Sequence, residues 1–271
     1  MKFLRTVAIL ILILLPYYPL TENFFPPEAQ VNQETFAAYI VICTGIFIAG
    51  FLLLRFCKPG SHTAGWLLFA MGLITLVPLH LGPPREDAGL LTAAGIEQFR
   101  YGALMMAVLL LLRAGLKVIS SPDTTLSKII LGMLCLMALL NLWDNYSSFR
   151  FSSGLKDWVT AGKNADDFFP QFDFHMPWRA LARASLYVAA IALSFALFRQ
   201  SAIRKWQFAV ISIFCLTGIV FCVLCLLSAF QEYYFPFMVP AIALAPAYWL
   251  GIALLTNKQK SGSAFTNSDY F

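Results

Sequence analysis

Charge is scarce in this chain. Of its 271 residues only 12% are charged, 59% are hydrophobic and the mean hydropathy is +0.73, which excludes an ordinary soluble domain. A formal net charge of +5 would suggest nucleic acid as a partner of a soluble protein. Here membrane orientation accounts for the basic residues, and no nucleic-acid partner is implied.

Several kinds of chemistry are missing as well. The three histidines, His62, His80 and His175, form neither H-E-x-x-H nor H-x-x-x-H, and no cysteine supports them, so no metal is expected. A haem pair needs two histidines at matched depth, and only His80 is embedded. Membrane-protease, phosphate-loop and dinucleotide motifs are absent, and no cofactor is implied. All 6 cysteines fall within apolar segments or at an inner end, which argues against a disulfide framework. The C-x-x-C of FCVLC lies mid-helix among Val and Leu and reads as small apolar packing.

What the chain has instead is eight apolar segments, at about 3–20, 36–54, 64–81, 97–116, 128–147, 177–198, 208–230 and 235–255. Each is near the roughly 20 residues that a helix needs to cross the hydrocarbon core. The expected fold is all-α, a polytopic integral membrane helical bundle of about eight transmembrane helices. Residues 1–256 form a single domain with an extended outer loop at about 148–176, and 257–271 form a flexible cytoplasmic tail. The first segment begins like a signal peptide, but PYYPLTENFF lacks a small-x-small cleavage pattern, so it reads as an uncleaved anchor.

Orientation follows from the basic residues. With a cytoplasmic N-terminus, the inner side collects Lys2, Arg5, Arg55, Lys58, Arg113, Lys117, Lys128, Arg199, Arg204, Lys205, Lys258 and Lys260, against only Asp123 and Asp269. Both termini are therefore expected in the cytoplasm. The compact loops point to a plasma membrane, of bacterial inner-membrane type.

The polar residues inside the spans are the candidates for function. Glu97 and Arg100 are three apart and share a helical face, either as a local ion pair or as part of a site. Asn141, Asp144 and Asn145 recur at helical spacing, which points to neighbouring helices or a wet cavity and away from lipid. Trp143 and Tyr146 read as interfacial aromatics. Pro177 suits the first turn of a helix starting near Met176, and Arg179 and Arg183 then lie on one face of its first two turns. A helix N-terminus is electropositive, so arginines there need an anion nearby. Asp144, Glu97, a ligand or an ordinary lipid phosphate could supply it. Pro78, Pro236, Pro240 and Pro246 are expected to kink or interrupt their spans.

The reading these charges favour is an outward-facing site that binds or transports an anionic small molecule or lipid headgroup through Arg100, Asn141, Asp144, Arg179 and Arg183. Two others stand beside it. One is a membrane enzyme acting on a lipid or lipid-linked substrate, with Asp144, Glu97, His80 or His175 as acid or base. The other is a non-catalytic subunit that docks a membrane protein partner through aromatic outer loops. Membrane lipids are partners in every case.

Overall fold

Runs of Leu, Ile, Val, Ala and Phe this long can satisfy their backbone polar groups in an apolar medium only by closing them within the segment, and helix is the result. The computed structural model describes residues 2–14, 36–80, 90–119, 124–164, 167–168, 176–227 and 240–257. Among these it contains α-helices and no strand: α1 (Lys2–Leu14), α2 (Phe36–Phe56), α3 (Thr63–His80), α4 (Leu90–Val118), α5 (Thr125–Thr160), α6 (Met176–Arg199), α7 (Lys205–Leu224) and α8 (Pro240–Thr256). Four of them, within α4, α5, α6 and α7, are long and apolar enough to cross a membrane, as expected of a membrane protein. α2, α3 and α8 contribute shorter apolar stretches.

One end of the bundle is tied by hydrogen bonds between helix termini. Gly60 N–H donates to Leu255 O at 2.8 Å and Arg5 Nη2 to Thr256 O at 2.8 Å, joining α1, the α2–α3 turn and the end of α8. Gln200 Nε2 donates to Val118 O at 2.9 Å, and Asn257 Nδ2 to Gln207 Oε1 at 2.9 Å and Ala202 O at 3.2 Å. Arg5 and Gln200 each take up a carbonyl that a helix end leaves without an internal partner. α1 runs along α8, and Trp249 Nε1 reaches Ile13 O at 2.9 Å.

Glycines let the helices approach closely. A Cβ on Gly251 of α8 would stand 2.7 Å from the Phe69 backbone nitrogen of α3, and one on Gly72 would enter the Tyr248 ring. Packing through small residues is what holds apolar helices together where burial from water cannot. The buried thiols Cys215 and Cys222 of α7 belong to the same apolar core, as the sequence suggests.

Two elements differ from expectation. α5 does not stop near residue 147: it continues to Thr160, through the first part of the stretch read as an extended outer loop. Serine and threonine hydroxyls bond back into the helix, Ser152 Oγ to Ser148 O at 3.2 Å and Thr160 Oγ1 to Lys156 O at 2.7 Å. Gly162, with φ 74°, then terminates it, its N–H on Val159 O and that of Lys163 on Trp158 O, the paired bonds of a Schellman motif. α4 likewise starts at Leu90, a turn and more ahead of residue 97. Pro240 opens α8 and Pro246 lies inside it; Pro236 and residues 15–20 of the first segment are outside the described residues.

Candidate functional site

At the far end from these ties, α5 and α6 bring their polar residues together. α6 starts at Met176 with Pro177 in its first turn, which sets Arg179 and Arg183 one turn apart on the side facing α5. Arg183 is 2% exposed. Its Nη2 donates to Asp144 Oδ2 at 2.7 Å and its Nη1 to Asn141 Oδ1 at 3.0 Å. The anion that an arginine at a helix N-terminus requires is therefore Asp144, across the helix pair.

Asn141 is fully buried and joins the two backbones. Its Nδ2 lies 2.9 Å from Met137 O, 2.9 Å from Ala182 O and 3.1 Å from Ser185 Oγ. A side chain that donates to both helices while accepting from Arg183 fixes the register of α5 against α6. Ser185 in turn donates to Ala182 O at 2.7 Å.

Arg179 takes the second oxygen of the same carboxylate. Its Nε is 3.7 Å from Asp144 Oδ1, and its Nη2 donates to Ser148 Oγ at 3.2 Å. Unlike Arg183, its side chain keeps 21% of its surface exposed. Asp144 thus has an arginine beside each oxygen, one with a wholly buried side chain and one with a side chain that is partly exposed.

The structure therefore brings together Asn141, Asp144, Arg179 and Arg183. Arg100 is half-buried on α4 and takes no part in the bonds just described. Two residues before it, Gln98 Nε2 donates to Ser153 Oγ of α5 at 2.6 Å. The side chains of Glu97 and His80, and the whole of His175, lie outside the described residues, as do most of the aromatic loops. Trp143 and Tyr146 are exposed, as suits interfacial aromatics. Ser148 and Ser185 are members that sequence reasoning missed. Ser148 was reachable, since it continues the Asn141, Asp144 stripe by one turn; nothing in the sequence marked Ser185.

Comparison with protein-family models, with curated proteins and with solved structures finds no match to this chain. Its class rests on its own features: an all-helical fold, among the described residues, with four helices of membrane-spanning length.

Proposed function

We propose that the chain is an eight-span membrane protein with both termini in the cytoplasm, in a plasma membrane of bacterial inner-membrane type. Its cluster at Asp144 faces outward and binds an anionic small molecule or lipid headgroup. Support for the orientation is that Arg5, Lys58, Lys117, Arg199, Arg204 and Lys205 lie at or next to the helix ends tied together at the other end of the bundle, as the positive-inside rule requires of a cytoplasmic face.

One observation carries the binding reading. Two arginines share one carboxylate, and only Arg179 keeps an exposed side. Arg183, Asp144 and Asn141 act as the frame. Arg179 is the group that meets the ligand, and its planar guanidinium suits a phosphate or carboxylate. The enzyme reading loses its foremost acid-base candidate, because both oxygens of Asp144 are already engaged by arginine.

Native mass spectrometry of the gently solubilised protein tests this, wild type beside Arg179→Gln. The expected result is a phosphate- or carboxylate-bearing adduct on the wild type that the variant loses while its melting temperature holds. An identical spectrum for the two proteins, or a stoichiometric protein partner with no such adduct, overturns it.

A further inference from the structure

A second side chain in the cluster is buried without a use. Asn145 is 1% exposed, and its Oδ1 accepts no hydrogen bond among the described residues. Every other buried polar side chain that α5 adds to the cluster at this level is engaged: Asn141 on Arg183 and α6, Asp144 on both arginines, and Ser148 on Arg179. A carboxamide oxygen enclosed without a donor is costly, and native proteins keep few of them.

Asn145 sits one turn beyond Asn141 and one turn before Ser148, the residue that receives the Arg179 hydrogen bond. The enclosed acceptor and the hydroxyl that holds the partly exposed Arg179 therefore lie one turn apart on α5. Resting on the anion-site reading above, we infer that Asn145 is part of the same binding site. It accepts a hydrogen bond from a hydroxyl that the ligand carries next to its anionic group, and the ligand class is a hydroxyl-bearing phosphate, either as a phospholipid headgroup or as a free polyol phosphate.

The donor is assigned as a hydroxyl on electrostatic grounds. An ammonium at Asn145 would stand near two guanidiniums whose shared carboxylate is already occupied, and like charges at close range in a poorly hydrated site repel strongly. A neutral hydroxyl meets no such opposition and satisfies the oxygen equally well.

The test uses the full chain in non-ionic detergent micelles, read by native mass spectrometry. It is offered phosphatidylglycerol or phosphatidylmethanol of the same acyl chains, which share a phosphodiester but differ in headgroup hydroxyls. The wild type should retain phosphatidylglycerol about tenfold better, the value of one good hydrogen bond. Asn145→Leu, close in volume, should bring phosphatidylglycerol down to the phosphatidylmethanol level and leave the latter unchanged. The same substitution removes an unsatisfied buried amide, so without lipid its melting temperature should hold or rise. Soluble glycerol phosphate that displaces phosphatidylglycerol assigns the free ligand as the source; failure to displace assigns the lipid.

Equal retention of the two lipids by the wild type, or selectivity unchanged in Asn145→Leu, overturns the inference, as for an Asn145 that merely holds a water. A lowered melting temperature with intact selectivity makes Asn145 structural and overturns it too. Each of those results leaves the anion site standing if Arg179→Gln still weakens both lipids. If Arg179→Gln changes neither, the anion site itself is wrong.

Discussion

Asp144 and Arg183 meet at 2.7 Å across the α5–α6 pair, with both side chains almost wholly buried. Each is the other's reason for being there. A lone charge at this depth would be costly, and the pair is bearable because the two charges bond each other and Asn141 Oδ1 accepts a second hydrogen bond from Arg183.

Removing one partner should therefore do more harm than removing both. Asp144→Ala is expected to cost about 3–5 kcal/mol, because it strands Arg183. Asp144→Leu combined with Arg183→Met should recover most of that loss. Thermal unfolding in detergent of the two singles and the double checks it. Additive losses in the double substitution would mean that the two residues do not act as a unit.

Close packing of α3 against α8 should tolerate no methyl at Gly251, whose Cβ would press on the α3 backbone. Gly251→Ala is expected to destabilise by about 1–3 kcal/mol. Gly132 on α5 meets nothing within 4 Å, and Gly132→Ala should be neutral or stabilising by up to about 1 kcal/mol. Melting temperatures of the two variants shifting in the same direction would contradict the packing described.

α6 ends on Ser201 in the left-handed region, at φ 57°. Its N–H donates to Phe198 O and that of Ala202 to Leu197 O, both at 2.9 Å, the arrangement in which glycine is favoured. Ser201→Gly should stabilise the protein by about 0.5–1 kcal/mol, relieving strain at some entropic cost. An unchanged or lower melting temperature would show that the serine pays no conformational penalty.

His62 caps the start of α3: Gly65 N–H donates to its Nδ1 at 3.3 Å. Only a neutral ring can accept there. Burial holds the imidazole below its ordinary pKa, so the folded protein binds fewer protons at this group than the unfolded chain does. Stability should then fall as pH drops below about 6.5, with no change above it. His62→Asn, which caps without titrating, should flatten the melting-temperature profile between pH 7.5 and pH 5. A slope that survives the substitution would assign the effect to another group.

Hydrophobic run length revealed the helices because a span must close its own backbone hydrogen bonds, and that demand is written in consecutive residues. Arg179, Arg183, Asn141 and Asp144 were visible for the converse reason, as polar residues placed where they are costly. The partnership between them was less legible. The choice of Asp144 as the anion, and the sorting of buried Arg183 from partly exposed Arg179, depend on the rotation of α6 against α5. Helical spacing within one segment does not encode that rotation. The extent of α5 was missed because Asp144-Asn145-Tyr146-Ser147-Ser148 is polar, and polarity reads as loop unless a neighbouring helix covers it. Ser185 was hidden because a lone serine between Ala184 and Leu186 has nothing to distinguish it until Asn141 arrives from another helix.

The 36 residues of α5 make a rod of about 54 Å at 1.5 Å per residue, against roughly 30 Å of hydrocarbon. No proline interrupts it. Asp144 and Ser148 therefore ride on the same stiff beam as Trp158, which packs on Phe168 beyond the cluster. A push or pull at the Trp158 end would reach the arginines as leverage, softened only where Ser153-Gly154 lets the rod bend.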